Sequence, residues 1–176
     1  TSSLERYIFG FEESNGYLCA PYVRDKDAIS ASILAVEAAA YFKSQGLTLC
    51  EVLEKLSEEY GYYLEKSLSF EFKGSGMDSK ISKIMAYFRS LKDEQFGDFK
   101  ILNMKDYLIL DSKMGQTQNM VRFDLGNQNE VLVRPSGTEP KLKVYIMLHG
   151  ETKELLHLKL EIISEDIKKK IEALDC

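Results

Sequence analysis

The chain has 176 residues, of which 44% are hydrophobic and 29% are charged, and its net charge at pH 7 is −5. This length allows one or two domains with a hydrophobic core. The acidic balance argues against a general nucleic-acid binder, because affinity for a phosphate backbone comes from an excess of Lys and Arg.

The amino-terminal segment predicts two short strands, over 7–12 and 17–22, joined by a polar turn. Glu12 and Ser14 stand two apart in this turn, so their side chains are expected on the same side. A carboxylate accepts from two hydroxyls at once and a serine can donate or accept, which suits the vicinal hydroxyls of a hexose. A polar hairpin tip without a binding role is the alternative for this segment.

Two helices follow the turn. From Asp27, apolar residues recur at helical spacing until Gly46, and few positions are charged, so most of this helix is expected to be buried. Thr48 and Glu51 form a capping-box pattern that opens a second helix. We predict that residues 1–65 are the carboxyl-terminal portion of an α/β domain.

A new pattern begins after the stretch 61–68. It predicts strands at 69–73, near 99–111, and at 119–125, 130–134 and 141–148, with a hairpin turn at 126–129. Helices are predicted from Asp78 and from Thr152. This order indicates an α+β fold, an antiparallel sheet with helices packed on one face, as a second domain over 66–176.

The loop between the last two predicted strands has the composition of a phosphate site. Two of the three prolines bracket it, which limits the entropy lost when a ligand orders it. A guanidinium, two hydroxyls, backbone amides and a nearby ammonium suit a phosphate dianion, and the candidate ligands are Arg134, Ser136, Gly137, Thr138 and Lys143. An ordinary surface turn is the alternative.

Three segments resemble one known family. The run from Arg134 to Tyr145 resembles the phosphate-binding loop in the last domain of the α-D-phosphohexomutases. The run from Gly10 to Tyr17 resembles the sugar-binding loop of their third domain, and 23–28 resembles the segment after that loop. The resemblance spans nearly the whole chain and is nearest to the bacterial phosphoglucomutase branch.

The resemblance assigns roles to single residues. Glu12 and Ser14 match the contacts to the sugar hydroxyls, and Lys26 matches a catalytic lysine near the reacting oxygens. Some family members carry a His where this chain has Gly16. The identity of the general acid/base therefore stays open, with Lys26 as the candidate.

The resemblance also implies an activity. Full-length members are isomerases that interconvert glucose 1-phosphate and glucose 6-phosphate through a glucose 1,6-bisphosphate intermediate, using a phosphoserine and Mg²⁺. This chain contains neither the phosphoserine segment nor the Asp-Gly-Asp-Gly-Asp metal loop. We therefore expect a carboxyl-terminal fragment that is inactive alone, has no metal site of its own, and has a phosphorylated hexose and the amino-terminal domains of the same enzyme as partners.

Three alternatives remain open at this point. The substrate could be a mannose phosphate or another hexose phosphate, since Glu12 and Ser14 would contact hydroxyls that glucose and mannose share. The chain could also be a non-catalytic phosphosugar-binding module, or an interaction domain whose loop is a mere turn. Three cysteines without metal-type spacing and the absence of a transmembrane or signal segment predict a cytoplasmic protein that does not bind membranes.

Overall fold

The computed structural model describes residues 7–12, 16–22, 25–74, 76–92, 94–109, 117–137 and 139–174. The chain divides into two compact units, Thr1–Glu59 and Tyr60–Cys176. The predicted domain boundary between residues 65 and 66 falls inside a strand of the second unit, β3, which runs from Tyr62 to Glu71.

The first unit is a short hairpin followed by helices. Strands β1 (Gly10–Glu12) and β2 (Gly16–Leu18) pair antiparallel, and they precede helices α1 (Ala28–Ser44) and α2 (Leu49–Tyr60). The carboxylate of Asp27 caps α1 by accepting from the Ile29 amide at 2.9 Å. Thr48 and Glu51 exchange bonds at the start of α2, with the Thr48 amide donating to Glu51 at 2.7 Å and the Glu51 amide donating to the Thr48 hydroxyl at 3.3 Å. The predicted capping box is confirmed.

Helix α1 corrects one prediction. No residue of α1 is buried, and Ile29 and Val36 are 75% and 69% exposed. The sequence predicted burial because an apolar helix gains free energy by covering its surface. That gain requires a surface to pack against, and the described part of the first unit offers α1 little beyond strand β2.

The second unit is built on a five-stranded antiparallel sheet. Its strand order is β3-β9-β8-β7-β6, and every neighbouring pair is antiparallel. The strands are β3 (Tyr62–Glu71), β6 (Asn103–Asp106), β7 (Val121–Gly126), β8 (Asn129–Pro135) and β9 (Lys141–Gly150). Strands β4 (Gln95–Phe96) and β5 (Phe99–Lys100) form a separate hairpin. The region predicted as one strand near 99–111 therefore contains two short strands, β5 and β6, that belong to different sheets.

The helices of this unit lie on one face of the sheet, as predicted. Helix α3 (Met77–Ser90) contacts β8, and α4 (Lys153–Glu172) contacts β9 and β3. Along β9 every second residue is buried. The core of this face is a single cluster that includes Phe88 of α3, Phe123 of β7, Ile146 of β9 and Ile163 of α4. None of the described helices is both long and apolar enough to cross a membrane.

The predicted hairpin turn at 126–129 is confirmed. Asn127 and Gln128 connect β7 to β8, and both have positive φ, at 51° and 62°. When both central residues of a two-residue turn have positive φ, the backbone twist of the turn matches the right-handed twist of the flanking strands. Asn129, which is buried, accepts from the His149 amide at 3.0 Å and donates to the carbonyl of Gly126 at 2.8 Å.

Candidate functional site

The structure brings Glu12 and Lys26 together in the first unit. Glu12 ends β1 directly opposite Gly16 of β2. The Nζ atom of Lys26 lies 3.5 Å from Oε1 of Glu12 and 3.4 Å from Oδ1 of Asp25. The predicted sugar ligand and the predicted catalytic lysine are therefore neighbours. Ser14 lies outside the described residues.

Two hydrogen bonds to backbone carbonyls of β2 fix this arrangement. The amide of Asp27 donates to the carbonyl of Tyr17 at 2.9 Å, which attaches the start of α1 to β2. The hydroxyl of Tyr7 donates to the carbonyl of Leu18 at 2.6 Å from the other side. Because Lys26 immediately precedes Asp27, the bond to Tyr17 sets where the lysine leaves the backbone.

The two carboxylates keep Lys26 charged. A hydrogen bond to Asp25 and the charge of Glu12 raise the pKa of the Lys26 ammonium above its usual value. In return, the backbone amide and ammonium of Lys26 lower the pKa of Asp25. An ammonium with a raised pKa stays charged and is suited to stabilising developing negative charge, and at neutral pH it is a poor general acid and a poor general base.

The second predicted site lies where β8 ends and β9 begins. Arg134 of β8 stands directly opposite Lys143 of β9. Residues opposite one another in an antiparallel pair share a face, with their Cβ atoms about 5 Å apart. Two cationic side chains therefore leave the sheet side by side, on the face that α3 and α4 do not cover.

The loop between the two cations is short and closed by the backbone. The Ser136 amide donates to the Lys141 carbonyl at 2.8 Å, and the Lys141 amide donates to the Glu139 carbonyl at 2.7 Å. Gly137 is exposed, and a Cβ atom added there would meet nothing within 4 Å. The loop thus leaves open space around Gly137. Thr138 lies outside the described residues.

Tyr145 orients the guanidinium and was not assigned a role from the sequence. The Nη2 atom of Arg134 donates to the Tyr145 hydroxyl at 3.2 Å, and the guanidinium carbon lies 5.7 Å from the centre of the Tyr145 ring. Such a contact over an aromatic face is attractive. The only sequence signal for it is that Tyr145 stands two residues after Lys143 on a strand, and hence on the same face.

The neighbouring Lys141 is in a different electrostatic state. Its Nζ atom lies 3.0 Å from Oε1 of Glu71 and 3.3 Å from Oε1 of Glu139, and these carboxylates raise the pKa of Lys141. Its charge is largely neutralised by these partners.

Ser69 of β3 pairs with Lys143 and extends the row of polar side chains across a third strand. Register alone places Ser69 there, and no sequence pattern signals it.

The described residues do not fit a divalent-metal site. No group of three or more His, Cys, Asp or Glu side chains in the described part of the chain is placed to hold a metal ion. Mg²⁺ prefers near-octahedral oxygen ligands, often from carboxylates.

Two protein-family models match the chain. Residues 94–165 match "Phosphoglucomutase/phosphomannomutase, C-terminal domain". Residues 2–60 match "Phosphoglucomutase/phosphomannomutase, alpha/beta/alpha domain III". Together the two matches cover more than half of the sequence, in the order third domain and then last domain.

Individual relatives give the same result. A phosphoglucomutase of Staphylococcus epidermidis is 35% identical over 155 residues, and a probable phosphomannomutase of Haemophilus influenzae is 34% identical over 145 residues. Each match covers 82% of this chain and 28% of the relative. The chain thus spans less than a third of the length of these relatives.

A solved structure shares the fold. The crystal structure of pp63/parafusin from Paramecium, a phosphoglucomutase in its open form, aligns with a TM-score of 0.59 and 22% identity. The alignment covers 93% of this chain and 31% of that protein.

Proposed function

Because the chain belongs to the phosphoglucomutase/phosphomannomutase family, we propose that it is the sugar- and phosphate-binding carboxyl-terminal part of a phosphoglucomutase. That enzyme would interconvert glucose 1-phosphate and glucose 6-phosphate through a bisphosphate intermediate. The observation that carries the proposal is the pair of cations, Arg134 and Lys143, directly opposite each other at the mouth of the loop.

Two like charges opposite each other in a sheet destabilise it. A bound phosphate dianion would reverse the sign of this interaction. Arg134 can present two parallel N–H groups to phosphate oxygens, and Lys143 supplies a compact charge beside it. The amides near Gly137 and the hydroxyls of Ser136 and Thr138 would complete the shell. Such a site reads the phosphate and not the ring, so it could hold the phosphate at position 1 or at position 6.

The first unit would supply the sugar contacts. We propose that Glu12 and Ser14 accept or share the hydrogen bonds of the sugar hydroxyls. Lys26, which the carboxylates keep protonated, would act in catalysis by stabilising the negative charge of the phosphoryl group during its transfer. Positioning and charge neutralisation are the main tasks of a protein in phosphoryl transfer.

The rest of the chemistry belongs to other parts of the enzyme. We propose that the amino-terminal domains are the partners of this chain, that they carry the phosphoserine and the Mg²⁺ ligands, and that glucose 1,6-bisphosphate is the intermediate and activator. A cytoplasmic location is part of the same proposal. A second candidate substrate is mannose phosphate, because one relative is named a probable phosphomannomutase.

The proposal is tested by titrating the 176-residue chain with inorganic phosphate and following amide shifts by NMR. In the natural chain the shifts should concentrate at 134–138 and at Lys143. Arg134→Ala should weaken binding by roughly 1.5–3 kcal/mol, the usual contribution of a charge-assisted hydrogen bond.

Lys141→Met is the matched control. It removes the same unit of charge next to the same loop, but from an ammonium that Glu71 and Glu139 already partner. Phosphate affinity should therefore change less than in Arg134→Ala. Shifts elsewhere, none at saturating phosphate, or equal losses in the two variants would refute the phosphate site.

A further inference from the structure

We propose that Gly16 is a positioning residue: the missing side chain at this position is the space through which Lys26 reaches Glu12. The inference about the pair is geometric, and its meaning for catalysis rests on the proposed function.

The space around Gly16 is already occupied. A Cβ atom built at Gly16 would lie 2.4 Å from Cδ and 2.8 Å from Cγ of Lys26, and 2.6 Å from Oε1 of Glu12. Carbon atoms of packed side chains meet at about 3.5–4.0 Å. No side chain at position 16 is compatible with the observed positions of both neighbours.

Backbone conformation does not explain this glycine. Six other glycines of the described chain have the positive φ that disfavours L-residues, among them Gly46, but Gly16 is not one of them. Gly16 lies in the regular hairpin register opposite Glu12. An alanine could adopt the same backbone, so the absence of a side chain matters here only for the space it leaves.

The contacts describe one small unit of structure. The stem of Lys26 crosses the buried Gly16, and its ammonium then meets the carboxylate at the end of the opposite strand. The same ammonium lies 3.4 Å from Oδ1 of Asp25. A Cβ atom at position 16 would push the stem away from Glu12, and the ammonium would keep Asp25 as its partner.

The test is the pKa of the Lys26 ammonium, measured by NMR in the 176-residue chain. Asp25 and Glu12 raise this pKa, so Gly16→Ala should lower it by removing the contribution of Glu12. Glu12→Gln should lower it for the same reason. The double variant Gly16→Ala/Glu12→Gln should match Glu12→Gln alone, because both changes remove one interaction.

Gly10→Ala is the matched control. It adds the same methyl group to the same hairpin, but there the new Cβ atom would meet the hydroxyl of Tyr7 at 2.6 Å and would not approach Lys26. The Lys26 pKa should then keep its raised value. An equal drop in Gly10→Ala would show that any disturbance of the hairpin loosens the pair, and this would overturn the proposal.

A second variant, Lys26→Ala, distinguishes a specific clash at position 16 from a general loss of the hairpin. Lys26→Ala removes the Cγ and Cδ atoms that crowd position 16, so Gly16→Ala should shift the amide signals of Phe11 and Tyr17 less in that background than in the natural chain. Equal shifts in both backgrounds, or an unchanged Lys26 pKa in Gly16→Ala, would refute the positioning role. None of these measurements involves phosphate or sugar, so failure of the proposed function would leave their outcome unaffected.

Discussion

At the scale of single residues, Lys26 and Glu12 restrict each other. The ammonium of Lys26 occupies one side of a carboxylate that is expected to receive sugar hydroxyls. A hexose bound as proposed would therefore meet a carboxylate that already has a cationic partner. Both side chains are about half exposed, so their ion pair is worth little by itself and a sugar can share or replace it.

We predict that Glu12→Gln separates sugar recognition from phosphate recognition. Affinity for glucose 6-phosphate should fall by roughly 1–3 kcal/mol, because a polar partner is lost from a site built for hydroxyls. Affinity for inorganic phosphate should stay the same. Ser14→Ala should behave likewise, and calorimetric titrations with both ligands measure the difference.

The control for this prediction is Glu37→Gln, which makes the same charge change at an exposed position of α1. It should leave both affinities unchanged. Equal loss of both ligands in Glu12→Gln would instead mean that the carboxylate acts only through the shape or charge of the hairpin.

The candidate site shows what sequence can provide at this scale. Residue type and resemblance make Glu12, Lys26 and Arg134 candidates, since carboxylate, ammonium and guanidinium have specific chemistry. They do not identify the partners of these residues, because Tyr145 reaches Arg134, and Gly16 meets Lys26, only through strand register and helix placement. Those contacts depend on distances across the fold, which no local pattern contains.

At the scale of elements, the β7–β8 hairpin depends on one buried amide. Asn129 is 4% exposed, donates to the carbonyls of Gly126 and Asn127, and accepts from the amide of His149 on β9. It thereby connects the turn to the neighbouring strand. This matters for the candidate phosphate site because β8 carries Arg134 and β9 carries Lys143.

We predict that Asn129→Ala destabilises the second unit by about 2 kcal/mol, because it leaves buried backbone groups without their partner. Urea denaturation followed by circular dichroism would measure this change. Exposed Lys100→Ala should alter the free energy of unfolding by less than about 0.5 kcal/mol. A similar small effect for Asn129→Ala would show that water replaces the amide in full.

Elements were predicted best where one face is strongly apolar. The apolar stripe of α4 was recognised from its spacing, and Leu156, Leu160, Ile163, Ile167 and Ile171 are buried. Strand β3 begins at Tyr62, whereas the predicted strand begins at residue 69. The prediction misses the first residues because Glu65, Lys66 and Ser67 obscure the alternation of apolar and polar residues in this edge strand. Tertiary pairing with β9 determines its length.

At the scale of the whole molecule, the hydrophobic core is unevenly distributed. Every buried hydrophobic residue of the core among those described lies in the second unit, from Leu68 to Ile171. The first unit carries large exposed apolar side chains such as Ile29 and Leu53. The second unit thus has the hydrophobic core that an independently folding domain needs, whereas the described part of the first unit does not bury its own apolar surface.

We predict that the 176-residue chain has no mutase activity alone. A coupled assay with glucose 1-phosphate, glucose 1,6-bisphosphate and Mg²⁺ should give only the background rate, because the sequence contains no phosphoserine segment and no Asp-rich metal loop. A complete phosphoglucomutase in the same assay is the positive control. Clear turnover by the purified chain would show that the nucleophile lies within it.

The facing cations also have a consequence for the selection of variants with greater thermal stability. Arg134 and Lys143 are like charges directly opposite each other, so a neutral strand-forming residue at either position removes the repulsion between them. Under the proposed function, position 143 is therefore one where this contribution to thermal stability and phosphate binding are opposed. With respect to this repulsion, a search for stabilised variants would favour losing the lysine, and a requirement for anion binding would favour keeping it.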